Sequence, residues 1–256
     1  MTLQIDLNCD AGESYGRWTM GDDEHLIPLM TSVNVACGEH GGDPVVMRRT
    51  IELAAQYGVS VGAHPSYPDR QGFGRRVIPM TPSEICDWMI TQIGAIQAMA
   101  RACGVPLRHV KPHGALYNAA MDQHAVAEAI ITAIQAIDPA LLLVALANSP
   151  MIALAQTRGL PVAAEAFVDR GYTAAGRLIG RESPAALITD PAVAAERAVQ
   201  LVCEQTIKSV DGVKIAIHPQ TICIHGDTPG AVSIAQAVRA RLAGAGVEMK
   251  TMCALT

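Results

Sequence analysis

The chain has 256 residues, half of them apolar and only 17% charged, with a net charge of −5. This composition supplies a substantial core and excludes a disordered chain. The acidic balance argues against nucleic acid or an anionic membrane as partner, and no apolar run approaches the roughly 20 residues of a membrane span.

The first predicted strand is LQIDLN, where Ile5 and Leu7 alternate with Asp6 and Asn8 before a polar end, NCDAGE. SVNVAC follows and ends in ACGEHGGDP, where Asp43-Pro44 reads as a helix start. VSVGAH leads into the glycine-rich GAHPSYPDRQGFGRR. Thr81-Pro82-Ser83-Glu84 then spells a capping box with proline at the first helical position, opening a long segment toward Arg101. RHVKPH runs into KPHGALYN, LLLVAL into ANSP, PVAAEAF into EAFVDRGY, and the last strand, TICIHG, into HGDTPG. Asp190-Pro191 is a third helix start, and Gly58, Gly104 and Gly159 stand between a helix and the next strand as C-terminal caps do. The stretch from Asp169 to Thr189 is the longest without periodicity and reads as a functional loop.

Regular alternation of strand and helix implies a parallel sheet, open or closed. No Gly-x-Gly-x-x-Gly turn follows the first strand, which removes the commonest reason to choose a dinucleotide-binding sheet. The length and seven βα units favour one catalytic barrel domain over residues 1–256, of the TIM type and short by one strand. Seven scattered cysteines without a CxxC pair, and a start with no secretory signal, read as reduced thiols in a cytoplasmic protein.

Barrel enzymes gather their active sites at the C-terminal strand ends. Six of the seven predicted ends carry ionisable side chains, and His40, His64, His113, His218 and His225 fall at or near one. A lone histidine beside an apolar strand is more often structural than catalytic; repetition at one end reverses those odds. His109 reads as lying inside the fourth strand. Lys111 and His113 leave the same strand face, and an ammonium inside a barrel demands a partner or a function. Arg70, Arg75 and Arg76 can grip a carboxylate or phosphate bidentately, although a solvated turn is the simpler reading of that loop. For Asp227, capping the next helix is an equal alternative. Asp10 with His40, His64 and His225 can form a divalent metal site, since such sets suit zinc or manganese, but the spacing is not diagnostic. The chain has no Gly-x-Ser-x-Gly elbow, no His-Glu-x-x-His zinc signature and no Walker loop. Cys9 and Cys37 lie near strand ends with no sign of activation.

Together, DLNCDAGESYG, NVACGEHGGDP, VGAHPSYPDRQGFGRR, VKPHGALYN, EAFVDRGY and TICIHGDTPGA resemble the LamB/YcsF family, described as the A component of the ATP-hydrolysing 5-oxoprolinase. The resemblance runs from the first strand to the last. It implies a distorted TIM-like (β/α)7 barrel of the glycoside hydrolase/deacetylase type. It also implies cleavage of 5-oxo-L-proline to L-glutamate coupled to ATP hydrolysis, in a complex with subunits B and C; a homo-oligomer stays open. On that reading Asp10 or His64 activates water, Lys111 and His113 stabilise developing negative charge, and Arg70 or Arg75 anchors a carboxylate or phosphate. Asn8, Glu13, Glu165 and Asp227 orient these groups, with His40 and His225 beside the substrate, and Asp10 and Asp227 can exchange roles. Without a phosphate loop here, ATP is expected wholly or partly on subunits B and C. Replacing Lys111 by Met is expected to abolish turnover with the fold intact. Where the family usually reads ACGFHAGDP, this chain has Glu39 for Phe and Gly41 for Ala, and the added carboxylate is expected to bear on substrate preference or on His40. Two rivals stand beside this reading: a metal-dependent deacetylase or amidohydrolase, and a non-catalytic lactam- or sugar-sensing module. The density of ionisable groups disfavours the second, because pure binding sites are mostly apolar.

Overall fold

A computed structural model of the chain describes residues 2–255. The strands in chain order are β1 (Gln4–Ala11), β2 (Ser32–Ala36), β3 (Ser60–His64), β4 (Leu107–Val110), β5 (Leu142–Leu146), β6 (Val162–Phe167), β7 (Thr206–Lys208), β8 (Lys214–Ala216), β9 (Thr221–His225) and β10 (Glu248–Met249). β1 to β6 pair in sequence order, β6 pairs with β9, and β9 pairs back onto β1, every pairing parallel. The sheet is therefore a closed seven-stranded barrel, as expected, and not an open one. β7 and β8 form a separate antiparallel hairpin, and β10 extends the start of β1. None of these three was legible in the sequence, because two or three residues are too few to show a period.

Parallel neighbours need a crossover, and helices supply it on the outside. These are α1 (Asp23–Leu26), α2 (Pro44–Gln56), α3 (Pro82–Ala102), α4 (Gly114–Asp122), α5 (His124–Ile137), α6 (Pro150–Thr157), α7 (Pro191–Cys203) and α8 (Ala231–Gly244). The three expected starts are capped as read. Asp43 accepts from the Val45 and Val46 amides and Asp190 from Ala192 and Val193, while Thr81 and Glu84 make both halves of the capping box.

Two faces of each strand meet different surroundings. On β1, Ile5, Leu7 and Cys9 are buried in the main apolar core with the helices. Asp6, Asn8 and Asp10, between them, are buried and bond across the barrel to Ser32, Asn34, Thr221 and Glu165. The interior is thus polar on one side, whereas Leu142, Val144, Ala163 and Met252 make a small apolar cluster of their own. Gly62 shows how tightly it is filled: a Cβ there would lie 2.1 Å from Nε2 of His109.

Below the site, Asp6 accepts from Thr31, Ser32, Thr221 and the Met252 amide. Burial outweighs these four donors and raises its carboxyl from 3.8 to about 6. The folded state then keeps a proton that the unfolded chain releases, so this contribution is complete below pH 3.8 and is lost as pH rises through about 6. The difference is worth ~3 kcal/mol. Asp6→Asn, neutral throughout, should gain that amount on the wild type between about pH 4 and pH 7 in denaturant titrations. A constant gap over that range would place the titration elsewhere.

Candidate active site

The chain arrives at the barrel mouth through β1, which runs to Ala11 and so carries Asp10 as a strand residue, not a turn residue. Its carboxylate is positioned from below by a chain of hydrogen bonds. His109 donates from Nε2 to Oδ1 of Asn34 (2.9 Å), and Asn34 donates to Oδ1 of Asp10 (2.9 Å) and of Asn8 (2.7 Å). Asn8 in turn donates to Glu165 at 3.0 Å and to Thr221 at 2.6 Å. Burial, then the charge of Lys111, presses His109 down to about 3, so it works as a neutral strut.

β4 ends at Val110, and the next residues turn Lys111 into the mouth. Its Nζ lies 2.9 Å from Asp10 Oδ1, 2.9 Å from Glu165 Oε1 and 3.0 Å from Cys223 Sγ. Burial opposes the ammonium charge, but Asp10 foremost outweighs it and holds the group well above the usual lysine range. Burial likewise opposes ionisation of Asp10, and the charges of His64 and Lys111 override it, holding that carboxyl well below its ordinary value. Tyr117, on α4, donates to Glu165 Oε2 at 2.8 Å. Lys111 therefore serves two buried carboxylates, and removing it affects the fold as well as turnover.

Around this centre stand four histidines. His64, at the end of β3, donates from Nδ1 to the Lys111 carbonyl (2.6 Å), and its Nε2 lies 3.3 Å from Asp10 Oδ2. His113 donates from Nε2 to the Phe73 carbonyl (2.8 Å). His40 lies 3.2 Å from Glu13 and stacks on His113 with ring centroids 3.8 Å apart. Burial, then neighbouring histidines, pushes His40 and His113 well below the ordinary imidazole value. Glu13 is pushed the other way, first by burial and then by the charges of Asp10 and Asp227. On the opposite wall, His225 holds Asp169 through Nδ1 at 2.9 Å and stacks on Phe167. Among the described residues its Nε2 has no hydrogen-bond partner.

These groups face a cavity of about 240 Å³ whose wall includes Asp10, His64, Lys111, Tyr117, His225 and Arg75. The expected functional loop closes its outer side with Arg170, Ile179 and Arg181. Arg75 pairs with Asp227, and Arg181 lies 3.6 Å from the same carboxylate. The helix-cap reading of Asp227 does not hold, because α8 starts from Gly230 without a side-chain cap.

Most of the sequence candidates converge here, and three do not. Arg70 is exposed, donating to the Gly38 carbonyl and lying 4.3 Å over the Tyr15 ring, so Arg75 and not Arg70 reaches the cavity. Arg76 braces its own loop by pairing with Asp69. His218 is exposed and precedes β9, at the opposite end of the barrel from the mouth. The four metal candidates divide: His40 and His64 cluster with Glu13 and His113, and Asp10 and His225 with Cys223. Burial raises the Cys37 thiol to about 12 and those of Cys9 and Cys223 well above their ordinary value, which disfavours the reactive thiolate at these three. Residues absent from the sequence candidates are Asn34, Tyr117, Asp169 and Arg181. Each carried a partial signal: Ser32 and Asn34 repeat the two-residue polar alternation of β1, Tyr117 lies in the strand end KPHGALYN, and Asp169 and Arg181 lie in the stretch read as a functional loop.

A family model, the LamB/YcsF family, matches residues 5–256. The chain belongs to the LamB/YcsF family. Within it, a protein of Chloroflexus aggregans, named as the A component of 5-oxoprolinase, is 53% identical over 97% of this chain and 99% of its own. One from Agrobacterium fabrum, named as a first copy of the same component, is 51% identical over 96% and 97%. The crystal structure of a lactam utilization protein from Thermus thermophilus superposes with a TM-score of 0.92 at 45% identity, covering 97% of this chain and all of that one. A carbohydrate esterase from Streptomyces lividans, 10% identical with a TM-score of 0.51, shares the barrel fold alone. Of the two departures from ACGFHAGDP, the one at Gly41 lies against Glu13. A Cβ at Gly41 would lie 2.8 Å from the Glu13 carbonyl, so glycine lets the Glu13 backbone approach. Glu39 is half-buried. What lowers His40 is burial and then His64, not this added carboxylate.

Proposed function

We propose that this chain is the lactam-opening component of a 5-oxoprolinase, cleaving 5-oxo-L-proline to L-glutamate. The observation that carries the reading is the buried Lys111 ammonium, held 2.9 Å from each of two carboxylates in the wall of a small cavity. Water must attack the lactam carbonyl, the oxygen must gather negative charge, and the ring nitrogen must receive a proton. Asp10, kept ionised, takes the proton from water, and His64 steadies it. Lys111 stabilises charge on the lactam oxygen, the kind of fixed charge that lowers such barriers most. His225, oriented by Asp169, returns a proton to the ring nitrogen as the carbon–nitrogen bond breaks. Arg75 and Arg181 offer guanidinium groups to the substrate carboxylate.

The names of the relatives support membership of a multisubunit enzyme, and the chain carries no Walker loop. ATP is accordingly assigned to the partner subunits B and C, with an ATP-derived phosphoryl group on the lactam oxygen activating the carbonyl carbon. Water attack with cleavage of the carbon–nitrogen bond then gives γ-glutamyl phosphate, and a second water releases inorganic phosphate and L-glutamate. Among the described residues no helix is long and apolar enough to cross a membrane, and all seven cysteines are free, which supports a cytoplasmic setting. The test supplies 5-oxoproline and ATP to the chain with and without B and C while glutamate is measured. Glutamate is expected with all three components together. No glutamate from any combination overturns the reading, and micromolar ATP binding by the isolated chain would overturn the assignment of ATP to the partners.

A further inference from the structure

The histidine cluster contains a juxtaposition that the lactam chemistry does not use. His64 spends its Nδ1 proton on the Lys111 carbonyl, and His113 spends its Nε2 proton on the Phe73 carbonyl. The other nitrogen of each ring is left over, and those two nitrogens face each other at 3.0 Å. Carboxylate oxygens flank the pair: Glu13 Oε1 lies 3.7 Å from His113 Nδ1, and Asp10 Oδ2 lies 3.3 Å from His64 Nε2. Two ring nitrogens and two carboxylate oxygens, all buried, thus converge on one point of the cluster, each an atom able to ligate a metal.

We propose that Glu13, His64 and His113 form a binding site for a divalent transition-metal ion of the zinc or manganese class. Ligating histidines characteristically donate their outer N–H to a backbone carbonyl or carboxylate, which fixes tautomer and ring orientation, and both rings do so here. Zinc–nitrogen bonds of about 2.0–2.1 Å place two nitrogens of one ion roughly 3 Å apart, the separation observed. Two imidazoles with one carboxylate select zinc or manganese over calcium and magnesium, which favour all-oxygen sets. Ligand atoms of Glu13, His64 and His113, with His40, all lie within 4.8 Å of one another, and His64 and His113 line the cavity, which supplies an entry path. His40 is a positioning residue. As a ligand through Nε2 it would bury an Nδ1 proton, and that atom has no acceptor. Donating from Nε2 to Glu13 instead leaves only a lone pair unpaired at Nδ1. Asp10 is engaged by Lys111 and is left as a neighbour of the ion.

This proposal goes beyond the lactam reading and is tested without lactam. The wild-type chain is stripped with chelator, checked for its folded state by circular dichroism, and titrated with Zn²⁺ and with Co²⁺ at neutral pH. The expected result is one equivalent of metal per chain by elemental analysis, a higher melting temperature and visible Co²⁺ absorption. Removing the partner of a ligand typically weakens binding ~10–100-fold, so His40→Ala should do this and His40→Gln, which keeps a donor toward Glu13, should restore much of it. Glu13→Gln, close to isosteric, should weaken binding further, and exposed His218→Asn should leave it unchanged. A folded wild-type chain that takes up no metal overturns the proposal and leaves a shared proton in the histidine pair; uptake unaltered by Glu13→Gln also overturns it, because the metal is then held by other groups.

Discussion

Lys111→Met is expected to lower turnover by at least ~100-fold in the assembled enzyme, the cost typical of removing a charge that stabilises a developing oxyanion. It should also lower stability by about 3–5 kcal/mol at neutral pH, because Asp10 and Glu165 are then buried without their shared cation. The sign of the pH dependence follows. Losing the ammonium raises the affinity of these carboxyls for protons in the folded variant, so acid relieves the variant and not the wild type. The stability gap, read by denaturant titration, should therefore narrow from about pH 7.5 to about pH 5. Lys111→Met combined with Glu165→Gln should recover part of the stability and none of the turnover. Near-wild-type glutamate formation by Lys111→Met would remove Lys111 from the chemistry, whatever the fold does.

The second large effect is expected at Asp169, which accepts from His225 Nδ1, from the His225 amide and from Thr228. Burial opposes its ionisation, and His225 beside it overrides burial and keeps the carboxyl below its usual range. In Asp169→Asn the amide oxygen can still serve the backbone and Thr228, but the NH2 group then faces Nδ1. That arrangement leaves a neutral imidazole without the carboxylate that favours its protonated form, so His225 becomes a poor proton donor at the cavity. Turnover should fall by ~10²–10⁴, the range for a lost acid–base group, with KM little changed. Two groups acting as one unit are not additive, so Asp169→Asn with His225→Gln should be no worse than His225→Gln alone. Multiplying losses would mean that Asp169 acts independently of His225.

The balance between what was legible in the chain and what was not follows from range. Element type and order were local matters. Asp43-Pro44, Thr81 to Glu84 and Asp190-Pro191 announce helix starts through contacts within three residues, and all three are capped accordingly. Alternation in β1 announced polar groups on one face, and a parallel sheet brings the ends of its strands together, so Asn8, Asp10, His64, Lys111 and Glu165 could be nominated before any contact was known. Direction and partnership were different. Arg70 and Arg75 look alike in GAHPSYPDRQGFGRR, yet one stacks on Tyr15 outside and the other meets Asp227 at the cavity. Tyr117 and Asp169 gain their roles from Glu165 and His225, 48 and 56 residues away in sequence.

The sequence by itself determined the βα alternation, the caps that start the helices, the polar face of the first strand and the family. Only the tertiary structure decided that the interior is a connected polar network, that Lys111 balances two carboxylates and that His64 and His113 meet nitrogen to nitrogen. The reason is physical: a helix cap or a strand period is settled by neighbours along the chain, whereas a buried charge or a ring tautomer is settled by whichever distant group closure of the barrel brings within about 3 Å.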